Sequence, residues 1–279
     1  MKMKENISIS YEDILDLISD ISPMARDYVE NNYENTTILH AYNSKEGKGV
    51  FLKVQSEDLC IYYANFPDDS SLLPLSSINK ELSTDSPSDL ERCFNVHGRN
   101  KGIIELIQSK GYVLDMEGYI LRHSDPTPKD IDLGELKVGI FSPNMCEDFV
   151  KLFEEAYLKL NQENGWDTKS YSKNSDYYCR QFIKLQEKES IKSFWHQGTL
   201  VGCFIVDDNF ITDIVVHPNF QGKGYGTLML KYCISFMREK KDISDIYLRI
   251  TKSNTGAKQL YERNGFAVIS HFSEHTYKG

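Results

Sequence analysis

Residues 221–227, Gln221-Gly222-Lys223-Gly224-Tyr225-Gly226-Thr227, alternate glycine with larger side chains immediately before an amphipathic stretch. Alternating glycines let successive backbone N–H groups turn toward one point, and a helix that begins there adds the positive end of its dipole. Such a cradle holds an anion, and a pyrophosphate suits its length. Upstream, Val215-Val216-His217-Pro218 reads as an apolar strand that leaves through a proline corner. Two other phosphate loops are excluded. A dinucleotide GxGxxG that starts at Gly222 or Gly224 needs glycine at Thr227 or Met229, and a P-loop needs GxxxxGK followed by Ser or Thr. What fits is Gln-x-x-Gly-x-Gly, carried by Gln221, Gly224 and Gly226.

A second constellation follows the strand-like run Ile246-Tyr247-Leu248-Arg249-Ile250. It is Asn254-Thr255-Gly256-Ala257-Lys258-Gln259-Leu260-Tyr261-Glu262-Arg263-Asn264-Gly265-Phe266, an asparagine, a helix with a tyrosine, and a closing Gly-Phe. The two stretches in this order resemble the GCN5-related N-acetyltransferases (GNAT), over residues 136–279. The resemblance implies acetyl-CoA as co-substrate, with its pyrophosphate held by Gln221, Gly222, Lys223, Gly224, Tyr225, Gly226 and Thr227. It further implies a pantetheine arm along the backbone of Ile214, Val215 and Val216, and a contact from Asn254. Lys223 is expected to point its charge toward phosphate.

Acetyl transfer to an amine needs a neutral amine, a stabilised oxyanion and a proton for the departing thiolate. Tyr261, seven residues past Asn254, stands where the family places a proton-donating tyrosine. With a reference pKa near ~10 it stays protonated at neutral pH. Its plain alternative is a half-buried helix residue stacked on the sheet. In several relatives a glutamate base precedes the asparagine by five residues, but that position is Arg249 here, and arginine cannot act as a base. Asp213, on the strand that enters the cradle, is the side-chain candidate. A water chain or an acceptor that arrives neutral also serves, and an ordinary edge-strand carboxylate is the bland reading of Asp213. Arg249 is left to bind an acidic substrate group or to pair with a carboxylate such as Asp245.

These residues need elements to position them. Asn144 to Lys159 reads as an amphipathic helix with Phe149, Val150, Leu152, Phe153 and Ala156 on its apolar face. The polar, aromatic segment Asn161 to Tyr178 carries Trp166, Tyr171, Tyr177 and Tyr178. In the resembled family this segment shapes the acceptor pocket; otherwise its aromatics pack beneath a long loop. Strands are expected at Ile191–Trp195, Leu200–Val206, Ile211–Val216 and Ile246–Thr251, with helices from Tyr225 to Glu239 and Gly256 to Asn264 and terminal strands over Phe266–Tyr277. Leu230, Cys233, Ile234 and Met237 recur at helical spacing and read as core.

The run Ser124-Asp125-Pro126-Thr127-Pro128-Lys129-Asp130 stops regular structure and divides the chain nearly in half. Asn100 to Tyr112 then aligns with Asn254 to Phe266 at a constant offset of 154 residues: Asn, Gly, Leu, Gly and an aromatic coincide. At the same offset Asn65-Phe66 falls on Asn219-Phe220, but Pro67-Asp68-Asp69-Ser70-Ser71-Leu72 has no glycine and adds two carboxylates that repel phosphate. Ile107 stands where Tyr261 stands. The fold class is α/β (α+β): two tandem GNAT-like domains, each a mixed, mostly antiparallel sheet flanked by helices. Residues 1–124 form a non-catalytic first copy, 125–135 a linker and 136–279 the catalytic copy. The competing explanation is that helix-Gly-aromatic endings recur in unrelated α/β proteins, where glycine is an ordinary cap.

Net charge is −9. Residues 1–124 hold 12 Lys and Arg against 20 Asp and Glu, 12 − 20 = −8, which leaves 20 − 21 = −1 for the rest. No basic footprint for nucleic acid exists; the acidic half reads as a solvated face or as a field that draws a cationic substrate. Six scattered cysteines without a CxxC pair, and no apolar leader or ~18-residue apolar run, imply a reduced, cytoplasmic protein off the membrane. No His, Cys or carboxylate spacing suggests a metal. The expected partner is a small-molecule amine or peptide acceptor. Two functions stay open: an acetyl-CoA-dependent N-acetyltransferase that works by direct attack, or a non-catalytic acyl-CoA-binding sensor.

Overall fold

The computed structural model describes residues 2–3, 9–68, 72–84, 90–128 and 131–279. Asp69, Ser70, Ser71, Lys129 and Asp130, named above, lie outside them. The chain divides into two compact units, residues 1–119 with 270–279, and residues 120–269.

The first unit runs β1 (Lys2–Met3), α1 (Tyr11–Ser19), α2 (Pro23–Asn31), β2 (Thr36–Ser44), β3 (Gly47–Gln55), β4 (Leu59–Asn65), α3 (Leu75–Thr84), β5 (Glu91–His97), α4 (Lys101–Ser109) and the start of β6 (Tyr112–His123). Its two leading helices begin at serine caps: Ser10 Oγ accepts from the Asp13 amide at 3.1 Å and Ser22 Oγ from the Ala25 amide at 3.0 Å. Alternate strand residues face opposite layers. Ile38, Val50, Leu52, Val54 and Tyr63 pack with Ile14, Ile18 and Val29 of α1 and α2. Phe51, Tyr62 and Phe94 stack on one another on the other face, above Ile78, Ile103 and Ile107 of α3 and α4.

β4 and β5 are parallel neighbours in register over seven rungs, from Leu59↔Glu91 to Asn65↔His97. Their exits are then tied together. The buried Asn100 donates from Nδ2 to the Phe66 carbonyl at 3.0 Å and to the His97 carbonyl at 2.7 Å. Asp68 Oδ1 accepts from the Arg99 amide at 2.6 Å, so a carboxylate of the chain itself holds the approach to α4.

The second unit repeats the order: the end of β6, then β7 (Lys137–Gly139), α5 (Cys146–Asn164), α6 (Ser170–Lys173), α7 (Ser175–Glu187), β8 (Ile191–His196), β9 (Thr199–Asp207), β10 (Phe210–Val216), α8 (Tyr225–Lys241), β11 (Ile246–Thr251), α9 (Thr255–Arg263) and the start of β12 (Phe266–Tyr277). Antiparallel pairing joins β7 to β8, β8 to β9 and β9 to β10, and β10 runs parallel to β11. One strand, two or three helices, three antiparallel strands, helix, strand, helix, strand describes both units, so the duplication read from one offset extends to the whole order of elements. The mixed, largely antiparallel sheets with helical flanks match the expected fold class.

Three local differences have physical causes. α5 continues five residues beyond Lys159 and closes at Gly165, whose φ of 70° makes a left-handed cap. The stretch taken as a connecting segment contains α6 and most of the first turns of α7, whose apolar face rests on the single fully buried Phe182 and so gives a weak periodic signal. The expectation of six reduced cysteines fails for Cys146 and Cys179, which form a disulfide between α5 and α7 with Cα atoms 5.6 Å apart. They are 33 residues apart on separate helices, so spacing alone does not pair them. Cys203 and Cys233 are buried and free, as core residues should be.

Candidate active site

In the second unit the ladder between β10 and β11 covers only Phe210↔Tyr247 and Ile211↔Leu248 among the described residues. Beyond it a bulge at Thr212, between Ile211 and Asp213 in the pairing with β9, turns β10 away from its neighbour. Ile214, Val215 and Val216 keep their antiparallel partners Phe204, Cys203 and Gly202 on β9. Their other backbone edge faces the gap. A cleft of about 760 Å³ fills that gap, bounded by α5, the β10 exit, the start of α8 and α9.

The floor of the cleft is the glycine loop. Gly222 and Gly224 take φ of 71° and 87°, in the left-handed region, and a Cβ on either would meet nothing within 4 Å. The glycines therefore serve backbone direction and leave open space above the amides. Gly224 is the N-cap of α8. The first turn of a helix leaves its N–H groups without intrahelical partners, so the amides from Tyr225 onward point out of the helix end. Gln221 fastens the loop from outside, donating from Nε2 to the Val216 carbonyl at 2.9 Å. An extended pyrophosphate-bearing coenzyme fits this combination of open strand edge, left-handed glycines and helix start.

Of the residues expected from sequence, Ile214, Val215, Val216, Gln221, Gly222, Gly224, Gly226, Thr227 and Asn254 line the cleft. Lys223 does not: its ammonium folds back onto the Asn219 carbonyl at 2.8 Å, over the Phe220 ring. Tyr225 packs edge-on against the same ring, 5.9 Å between centroids. Asn254 has a structural duty, since its Oδ1 accepts from the Ala257 amide at 3.1 Å and caps α9. The mouth is bridged where Ser253 Oγ donates to Asn164 Oδ1 at 3.0 Å, joining the end of β11 to the end of α5.

Asp213 and Tyr261, expected as the catalytic pair, do not line the cleft; their chain neighbours Ile214 and Leu260 do. Asp213 is half-buried, and burial raises its carboxyl above the ordinary carboxylate range. The hydroxyls of Tyr157 and Thr212 oppose that rise. Tyr157 Oη donates to Asp213 Oδ1 at 2.8 Å. Tyr261 is 7% exposed and lies edge-on to Phe266. Burial holds its phenol protonated, with help from the charge of Asp213, so the two candidate groups feel each other. Tyr157 was missed by the sequence reading, because a tyrosine on an amphipathic helix is indistinguishable from core until its strand partner is known. Leu260, Ala156 and Ser253, also unforeseen, complete the wall.

The second unit is thus an α/β unit whose parallel strands part over a glycine-started helix, with a cleft between them. Residues 146–266 match the model of the Acetyltransferase (GNAT) family. That match falls within the second unit.

Among curated proteins, the chain is 30% identical over 102 residues to the uncharacterized N-acetyltransferase YobR of Bacillus subtilis, which is 36% of this chain and 37% of that protein. It is 31% identical over 88 residues to a [ribosomal protein bS18]-alanine N-acetyltransferase of Haemophilus ducreyi, 32% of this chain and 57% of the relative. The chain thus spans less than two thirds of the length of each of these two relatives. Among solved structures, a tandem GNAT protein from the clavulanic acid biosynthesis pathway superposes with a TM-score of 0.53 at 13% identity, over 95% of this chain and 93% of that one. That likeness concerns the fold and extends across both units.

Proposed function

We propose that the protein is an acetyl-CoA-dependent N-acetyltransferase, with its chemistry in the second unit and a non-catalytic first copy, acting on a primary amine. The observation that carries this reading is the two-rung parting of β10 from β11, which leaves the edge of Ile214–Val216 open beside the glycine cradle, one residue from Asp213 in sequence. Acetyl-CoA, when bound, supplies an activated acetyl thioester.

The chain's own groups divide the remaining work. Amides at the start of α8 hold the diphosphate, and the free edge of Ile214–Val216 orients the arm. Asp213 accepts one proton from the acceptor ammonium, so that the nitrogen lone pair is free to form the new C–N bond. As the C–S bond breaks, Tyr261 gives its phenolic proton to the leaving sulfur, and the second proton shed by the acylated nitrogen restores the tyrosine. Atoms and charge balance to amide plus free thiol. A carboxyl raised by burial is a better base than an exposed one, and a buried phenol stays protonated until it is needed.

Calorimetry with CoA, followed by thiol release from acetyl-CoA against a panel of amines, tests the reading. Heat of binding together with amine-dependent thiol release is expected. No heat with any CoA species at millimolar concentration sinks it; binding without release to any acceptor leaves only a sensor.

A further inference from the structure

Among the described residues that line the cleft there is one cation, Lys159, and one carboxylate, Glu163, and both come from α5. With Ala156 and Leu160 they follow the spacing of a single helix face. Lys223, the cation of the glycine loop itself, is turned onto the Asn219 carbonyl and takes no part in the wall. The loop therefore offers an anion main-chain amides and the partial charge of a helix start, but no full positive charge.

Lys159 and Glu163 are only loosely paired, Nζ to Oε1 3.7 Å, with side chains 86% and 50% exposed. A charge-assisted N–H···O bond closes to about 2.7–2.9 Å. The order is also the weaker one on a helix, since a lysine that precedes its glutamate runs against the dipole. An exposed pair of this kind adds little to stability, so neither side chain is committed to holding the fold. The lysine ammonium is a point charge on a flexible stem and is free to change partners.

We infer that Lys159 is a coenzyme-binding residue that closes on a phosphate of the bound coenzyme, and that Glu163 is the resident partner it gives up to do so. This rests on the coenzyme-binding reading above. A coenzyme in the cleft brings phosphate oxygens into a space walled by protein, where an ion pair is screened less than at an open surface. Lys159 then exchanges a stretched, exposed contact for a shorter and more enclosed one. Glu163 opposes binding by competing for the same ammonium. The diphosphate and the 3′-phosphate share the chemistry required, and a coenzyme that lacks one of them tells them apart.

Calorimetry on the full chain with CoA and with dephospho-CoA, which lacks the 3′-phosphate, tests this. Lys159→Met keeps the stem and removes the charge, and it should weaken CoA binding by about tenfold, the size of one charge-assisted hydrogen bond. That loss should shrink as salt is raised. Glu163→Gln should tighten CoA binding by about twofold or more, on the scale of an exposed ion pair. Neighbours on one helix face that move affinity in opposite directions are not both acting through lost structure, and the unliganded melting temperatures should match the wild type. In the Lys159→Met background the gain from Glu163→Gln should be smaller, because the ammonium it releases is gone. A loss shared by CoA and dephospho-CoA assigns the contact to the diphosphate; a loss confined to CoA assigns it to the 3′-phosphate. CoA affinity within about twofold of wild type in Lys159→Met overturns the inference. Unchanged or weaker binding in Glu163→Gln, or an equal gain in both backgrounds, overturns it too and leaves the acetyltransferase reading standing. No CoA binding by the unaltered chain removes both.

Discussion

In the proposed mechanism Asp213 is the base, and its burial sets that role against stability. Its folded pKa lies above the ordinary value of 3.8, so the folded state binds its proton more readily than the unfolded chain does. The sign follows from linkage: whatever this carboxyl contributes to stability is fully present below the unfolded pKa and is lost as pH rises through the folded one. At neutral pH the ionised group is therefore a burden. Asp213→Asn, which still accepts from Tyr157, should raise the melting temperature at pH 7, and the gain should shrink toward zero below about pH 4. The same variant and Tyr261→Phe should each lower kcat by about a hundredfold or more with CoA affinity retained. A wild-type melting temperature equal to that of the asparagine variant at pH 7 would contradict the burial argument. The cradle residues were legible in sequence because alternating glycine is a local pattern with a local cause. Tyr157 was not, since its partner Asp213 is 56 residues away and only the fold unites them.

At the scale of elements, two glycines and one disulfide decide how the site is framed. Gly224→Ala meets no steric obstacle, so its effect isolates the cost of a side chain at φ 87°, about 1–2 kcal/mol, with CoA affinity reduced as the α8 start distorts. Gly202→Ala is different in kind. A Cβ there would collide with the Val215 carbonyl and lie 2.9 Å from Met229, forcing β9 from β10 beneath the cleft. It should destabilise the protein by more than Gly224→Ala does, as read from denaturant midpoints, and equal losses would argue against the strand contact. The Cys146–Cys179 bridge closes a loop of 33 residues that contains Tyr157, Tyr171 and Tyr178. By chain entropy such a loop is worth about 3–4 kcal/mol. Reductant should lower the unfolding midpoint of the wild type and leave a Cys146→Ser, Cys179→Ser variant unmoved. Equal midpoints in oxidised and reduced wild type would show that the bridge does not hold the helices. Helix and strand positions came through from periodicity, whereas the bulge at Thr212 and the length of a ladder did not, because neither is encoded by one strand alone.

The whole molecule presents one order of elements twice, with opposite treatment of the same seam. No helix among the described residues is long and apolar enough to cross a membrane. The first unit keeps β4 and β5 paired for seven rungs and stitches their exits through Asn100; the second lets β10 and β11 part after two. Titration with CoA should accordingly give one site per chain, and a stoichiometry of two would refute the difference between the units. In sequence the first copy read as inactive because Pro67 to Leu72 has no glycine. The closed ladder is a second and independent reason.

That seam sets a limit on engineering. Transplanting the Gln-x-x-Gly-x-Gly heptad into the first unit would supply a phosphate grip with no slot for the arm attached to it. Opening a pocket there would first require unzipping hydrogen bonds, starting with the asparagine that staples both carbonyls, so single substitutions in the loop would not install a coenzyme site.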